Sequence, residues 1–590
     1  MVGSMGVGQG AVRAAGGMMA MMNGMPGRGD GRIWRGRVTV MRGLAPALRR
    51  MLAARAGLAL SFAVMVVAVA PVAAALDLAT LRSKGSVVRA ALAAGESGDW
   101  SEAQALAART GDVVVRDIVT WRKLRAGAGS VAEYQSFVAR RGDWPGQEPL
   151  RRAVLGTREG PTSTRALTGQ ARENWRAFDR LYDRRDWDEA EVLLDRISRS
   201  PAALGVPGRW ASRRLVLARR AARQGRPQLA YRLAANAYTS AEDGYDHADL
   251  HWVAGWVALR LLNDPATALR HFEAFAPLVN TPISNGRAGY WIGRAQEALG
   301  NVAAARSAYA SAARWQTSFY GQLAAAKIDA PGDPALLGRP LPDWRPLISD
   351  GDDAVRMAAI VHYAGESALA WQVFRHLGET RTERDLEAIA ALALDMEAPH
   401  YAVRMAKQAA RRGIVIMPAY YPVTDLSAYV DRVEPAFAMS VARQETELNP
   451  AAISRVGARG LMQLMPATAQ KVAGWLDIPY EPGRLTADWR YNATLGQTYL
   501  ARRVGQLGGS YVLAAAAYNA GKGRVDNWVV DYGHPLYGQV DMIDWMEMIP
   551  FSETRNYAQR VMEGLYVYRT RIAGRAGPMT IEQDLARGMR

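Results

Sequence analysis

Cysteine is absent from this 590-residue chain, and lysine occurs only six times. Without cysteine there is no disulfide framework, no thiolate metal site and no thiol to take a lipid behind a leader peptide. From Leu76 to about Ala330 no convincing run of alternating apolar and polar residues occurs, which points away from strands there. Glycine and proline are too dilute for a fibrous protein. The formal charge of +17 invites a nucleic-acid reading, but nine arginines and one aspartate in residues 1–75 supply +8, leaving +9 for the remainder. The arginines are dispersed, no basic run alternates with stacking aromatics, and no helix-turn-helix or zinc-finger spacing occurs. The charge therefore reads as a basic surface, suited to a polyanionic polymer and not to nucleic acid. What is present is apolar character in 49% of residues, ample for packed cores, in a chain too long for one core.

Residues 1–40, rich in Gly, Met and Arg, read as a non-structural extension or a misassigned start. Residues 41–75 read as a signal peptide: Arg42, Arg49, Arg50 and Arg55 lead an apolar run from Ala56 to Ala70. Ala73 and Ala75 give the small-x-small cleavage pattern, placing the mature start near Leu76. The run is short for a membrane span. The expectation is a soluble, exported, periplasmic protein with no span in its mature part.

The predicted fold class is all-α. From 76 to 330, turns followed by Ala-bearing amphipathic segments recur, as in SGDWSEAQALA (97–107) and RRDWDEAEVLL (184–194). Small residues there allow helices to pair closely, and stacked hairpins build a superhelical solenoid. His247 and His251 stand four apart on one helix, a spacing that can hold a metal. Ala248 stands where a zincin motif has Glu and no third ligand is evident, so no metal and no cofactor are expected. Trp252, Trp256, Tyr290 and Trp291 read as hairpin core and not as a sugar-stacking track. The Pro/Gly-rich stretch 331–350 reads as a linker, 351–415 as a helical linker domain, and 416–590 as the domain that carries chemistry.

In PAFAMSVARQETELNP (435–450), Phe437, Ala438, Val441, Ala442 and Leu448 form an apolar stripe. Glu445 falls on it, whereas Glu447 falls on the polar side, solvated and within reach of Arg443. An ionised carboxylate on a buried stripe is costly, so Glu445 either finds donors or keeps its proton, and a protonated carboxyl near neutral pH is a general acid. Gly457 and Gly460 mark a flexible turn, after which Gln463 is placed to aim its amide at Glu445, with Met462 and Met465 as apolar walls. Tyr518 and Asn519 end an Ala-rich helix, and Glu553, Arg555 and Tyr557 open another. Each has a structural reading as turn, core or cap. Together they are separated segments that converge on a groove.

ARQET, GARGLMQLMPATA, AYNAG and IPFSETRNY, in that order, resemble the catalytic domain of the soluble lytic murein transglycosylases, which is similar to goose-type lysozyme. GYWIGRAQEALG and FYGQLAAAKI resemble the superhelical part of that family more weakly. Thr446 departs from the serine usual after the catalytic Glu, with the hydroxyl retained. The resemblance implies that Glu445 is the sole catalytic acid/base, that Gln463, Met465, Tyr518, Asn519 and Glu553 bind substrate, and that peptidoglycan glycan strands are cleaved between N-acetylmuramic acid and N-acetylglucosamine to leave a 1,6-anhydro end. Cell-wall enzymes are conceivable partners. A lysozyme-like hydrolase, with water as acceptor, and a non-catalytic cell-wall scaffold are the competing readings.

Overall fold

The computed structural model describes residues 77–155, 167–349 and 351–589. The segments expected to be an extension (1–40) and a signal peptide (41–75) lie outside the described residues. The described residues belong to one compact unit. The described residues contain helices and two isolated bridges but no strand, in accord with the all-α expectation. No described helix is long and apolar enough to cross a membrane.

The array starts with α1 (Leu78–Glu96), capped by Asp77, whose carboxylate takes the Thr80 amide. Further along come α2 (Ala211–Arg223), α3 (Tyr245–Arg260), α4 (Pro265–Phe275), α5 (Pro282–Ala298) and α6 (Phe319–Lys327). After the connection at 331–350, itself packed through Leu336 and Trp344, come α7 (Asp353–Tyr363), α8 (Ser367–Thr380) and α9 (Pro399–Ala410). The array closes on itself, because α1 packs on α7. Gly85 makes this possible, since a Cβ there would stand 2.5 Å from that of Tyr363, and Arg89 donates to the Tyr363 and Ala364 carbonyls.

The expected core aromatics are core. Trp252 and Trp291 are fully buried, Trp256 and Tyr290 are 1% exposed, and Gly293 admits the ring of Tyr309 between α5 and its neighbour. His247 bonds Thr239 at 2.8 Å, His251 and His271 approach at 3.2 Å through Nδ1, and His271 meets the Tyr231 hydroxyl at 3.1 Å. Among the described residues no group of three or more His, Cys, Asp or Glu is arranged to hold a metal.

The carboxy-terminal region contributes α10 (Pro435–Thr446), α11 (Pro466–Leu476), α12 (Trp489–Gln506), α13 (Tyr511–Ala520), α14 (Met542–Met548) and α15 (Ser552–Ala573). It is fastened to the array by buried polar bonds. Phe319 N–H donates to Glu563 at 2.9 Å, the Gln322 amide to the Glu563 carbonyl at 2.9 Å, and Tyr320 hydroxyl to Glu547 at 2.6 Å. Arg260 and Trp256 both donate to Asp544. Removing one partner of such a buried charged pair strands the other, so these bonds fix relative position.

Candidate functional site

Helix α10 is buried on all sides from Ala436 to Arg443, not along one stripe as its periodicity predicts. It runs through the middle of the carboxy-terminal region, so neighbours cover even its polar positions. It packs on α15, where Gly564 is essential: a Cβ there would stand 2.1 Å from Ser440 Oγ, which donates to the Val561 carbonyl at 2.7 Å. This close crossing brings the carboxy-terminal turn of α10 beside the first turns of α15.

The α10 helix stops at Thr446 because Glu447 (φ 58°) and Leu448 (φ 70°) turn left-handed and Pro450 forbids continuation. Glu447 differs from its expected solvated state. Its side chain is 12% exposed and holds Arg404 at 3.0 Å and Lys407 at 2.8 Å, both on α9. Arg443, the partner expected from spacing, is 4% exposed, donates to the Tyr420 carbonyl and lies 3.8 Å over the Tyr421 ring. Helical spacing could not reveal either choice, because the competing partners come from elsewhere in the chain.

Glu445, in the last turn, is part-buried and accepts a 2.7 Å hydrogen bond on Oε1 from the Tyr557 hydroxyl. Burial raises its pKa to about 7, the Tyr557 bond opposes this, and the Glu553 charge adds to it. Tyr557 is 3% exposed, and burial, followed by the Glu445 charge, pushes its hydroxyl well above the ordinary value, so it stays a donor. The sequence names Tyr557 among the polar groups converging on the groove but assigns it no catalytic or substrate role. The signal was its position four residues after Glu553, which puts both on one face of α15.

Tyr518 is raised by burial and by the charge of Glu445, and its hydroxyl donates to the Met462 carbonyl at 2.7 Å. Asn519 takes the Thr554 hydroxyl at 2.6 Å, tying the end of α13 to the start of α15. Glu553 is exposed at the rim. Of these groups, Tyr518 and Glu553 are near enough for their titration or charge to couple to Glu445, while Asn519 contacts α15 through Thr554. Gln463 does not point at the acid. Its amide donates to the Gly460 carbonyl at 2.9 Å and the Ala452 carbonyl at 3.2 Å, because its backbone is left-handed (φ 49°) inside a folded loop. Met465, just before α11, is 42% exposed, whereas Met462 is fully buried and is core, not a wall.

The loop 449–465 is not flexible about Gly460. A Cβ at Gly460 would lie 1.9 Å from the Leu485 carbonyl oxygen. Asn492, fully buried on α12, accepts from Met462 N–H and donates to the Arg459 and Leu485 carbonyls at 2.9–3.0 Å. Thr446 hydroxyl donates to the Leu461 carbonyl at 2.8 Å, so the hydroxyl after the acid pins loop to helix. The same turn, Gln444 to Glu447, borders a pocket of about 270 Å³ whose far side is Trp371, His400, Arg404 and Lys407 of the array.

An all-α domain holding a buried carboxyl near neutral pKa, backed by a tyrosine donor, has the general make-up of a helical domain of the lysozyme-like class. Residues 426–536 match the family model described as the Transglycosylase SLT domain, so the chain carries a domain of that type. Over 136 residues it is 41% identical to the soluble lytic murein transglycosylase of Escherichia coli K12, covering 23% of this chain and 20% of that protein. A putative soluble lytic murein transglycosylase of Haemophilus influenzae is 35% identical over 152 residues, covering 26% and 25%. These matches thus span about a fifth to a quarter of the relatives' length. In fold, the chain is similar to the 70-kDa soluble lytic transglycosylase solved with bulgecin A, at TM-score 0.51 and 19% identity over 87% of this chain and all of that one. Glu445, Gln463, Met465, Tyr518 and Asn519 fall inside the matched family segment, while Glu553 and Tyr557 lie beyond it.

Proposed function

We propose that this protein is an exported, periplasmic peptidoglycan lytic transglycosylase with Glu445 as its only acid/base. The observation that carries the reading is a carboxyl raised to about 7 with one oxygen occupied by Tyr557. Because Tyr557 donates to Oε1, Oε2 is left to carry the working proton. Glu445 gives that proton to the glycosidic oxygen as the bond to C1 of N-acetylmuramic acid breaks. The carbonyl oxygen of that sugar's 2-acetamido group bonds C1 and spares the protein a nucleophile, unlike the two-carboxylate scheme. Carboxylate Glu445 then takes the proton of the 6-hydroxyl, whose oxygen attacks C1, expels the acetamido oxygen and closes the 1,6-anhydro ring. No water is consumed, and the acid ends protonated.

Gln463, Met465, Tyr518, Asn519 and Glu553 line the groove in this reading. Gln463 and Tyr518 act by holding the loop in shape, since their donors are engaged by the Gly460 and Met462 carbonyls, while Met465 and Glu553 stand exposed to meet sugar. The array presents the domain to cell-wall strands.

Mass spectrometry of digested sacculi tests the proposal. Anhydro ends, lighter by one water than reducing ends, are expected, and Glu445→Gln is expected to abolish them. Reducing ends from the parent enzyme, or full activity in the variant, would refute it.

A further inference from the structure

At the opposite end of α13 from Tyr518, a pocket of about 350 Å³ opens between the end of α12, the Lys522–Tyr532 helix and the loop that follows it. Gln506, Leu513, Asp526, His534, Leu536 and Tyr537 line it. The loop is preformed. Gly533 and Gly538 turn left-handed at its two ends (φ 92° and 70°), Gln539 Oε1 accepts from His534 N–H at 2.7 Å, and Leu536, 4% exposed, anchors it to the core. Tyr537 is thereby held outward. It is 54% exposed, with the His534 ring beside it at 4.3 Å between centroids.

The polar groups of the lining define what it can hold. Leu536 N–H donates to His534 Nδ1 at 3.2 Å, and burial holds the ring below its usual pKa. The neutral imidazole therefore carries its proton on Nε2, as a donor. Lys522 donates to both oxygens of Asp526, at 2.8 and 2.7 Å. That pairing balances the charge and leaves lone pairs for further donors. Gln506 accepts from Arg503 through Oε1, so its Nε2 can donate. The lining thus offers an aromatic face, neutral donors and carboxylate acceptors, with no charge to spare for an ion. This set fits a neutral pyranose with an acetamido group, its apolar C–H face on Tyr537 and its hydroxyls on the polar side chains.

A line of side chains joins this pocket to the acid. Tyr518, raised by burial and by the Glu445 charge, meets the Tyr499 ring at 5.4 Å between centroids. Arg503 then donates to the Tyr499 hydroxyl at 2.9 Å and to Gln506 Oε1 at 2.5 Å. Tyr499, Arg503 and Gln506 share one face of α12, and that face grows more exposed toward Gln506. The step from Tyr499 to Gln506 covers about 10 Å of helix, the scale of a disaccharide. We propose that the pocket docks an N-acetylhexosamine of the glycan strand beyond the two sugars nearest the cut, so that long strands are held and short ones are not. The inference rests on the glycan-cleaving reading above and adds a second sugar site to it.

The test compares long solubilised glycan strands with the tetrasaccharide of the same repeat. Tyr537→Ala removes an exposed ring and leaves the core intact. KM on long strands is expected to rise roughly fivefold, the scale of one aromatic contact, with kcat unchanged and the tetrasaccharide unaffected. An equal change on both substrates, or none, overturns the proposal. If the parent enzyme cleaves neither substrate, it is the glycan-cleaving reading that fails, and binding still reads the pocket. In hydrogen exchange on Glu445→Gln protein, an N-acetylglucosamine hexamer is expected to slow the amides of 533–539. Adding Tyr537→Ala is expected to abolish that protection and keep the protection around residue 445. No slowing at 533–539 overturns the proposal, as does equal slowing by a glucose hexamer, which has no acetamido groups.

Discussion

Replacing Tyr557 with phenylalanine removes the one side-chain donor to Glu445 and leaves the ring in its packed place. A hydrogen bond to a charged group is worth about 1.5–3 kcal/mol, and a pKa unit corresponds to about 1.4 kcal/mol. The neutral acid keeps part of that bond, so the lower end applies, a shift of about one unit. The direction follows from which form the bond favours. Tyr557 stabilises the carboxylate and lowers the Glu445 pKa. Its loss therefore raises the value from about 7 toward about 8. The first step needs protonated Glu445, so the alkaline fall in kcat/KM moves up by about one pH unit. Glu553→Gln acts the other way. It removes a negative charge that raises the Glu445 pKa, and because Glu553 is exposed and screened the limb falls by only a few tenths of a unit. Profiles of kcat/KM from about pH 5 to 10 on isolated glycan strands read both shifts. An unmoved limb in Tyr557→Phe, or displacement of both variants in one direction, would refute the electrostatic account of the site.

Other expectations follow from the same contacts. Glu445 sits near 7 in the folded chain against an ordinary 4.5, so its raised pKa costs about 3 kcal/mol of stability above pH 7, a cost that disappears below pH 4.5. Glu445→Gln is thus expected to be more stable than the parent at pH 8 and equal to it at pH 4, by denaturant melts, and a gain of the same size at both would count against it. Gly564→Ala forces a methyl against Ser440, costing about 1–3 kcal/mol, and moves α10 off α15. Kinetics beside melts should therefore show activity falling further than stability alone accounts for. Asn492→Ala leaves the Met462 amide and the Leu485 carbonyl unpaired and leaves the Arg459 carbonyl only its bond from Leu464 N–H, a loss of about 3 kcal/mol readable in chemical denaturation, with hydrogen exchange opening at 459–464.

Glu445 was legible in the sequence because a carboxylate on an apolar face is conspicuous, and the helical array because its turns recur. The partners were not. Tyr557 looked like a helix-core residue, and only the α10–α15 crossing at Gly564 shows that its hydroxyl reaches the acid. Glu447 looked solvated because the amphipathic pattern describes one helix alone, whereas Arg404 and Lys407 arrive from α9. Gln463 was misdirected because its left-handed backbone is set by a loop whose anchor, Asn492, is on α12. Periodicity reports which residues are buried. It does not report what they meet.

The salt bridge from Glu447 to α9 ties the carboxy-terminal region to the helical array at the end of α10. The Glu445 carboxyl hangs from a helix whose end is clamped by residues upstream of the matched family segment. Excising residues 416–590 as an independent catalyst would cut away Arg404 and Lys407 and unmoor the helix end that aims the acid. Transplanting this domain onto a foreign scaffold would require carrying α9 along with it.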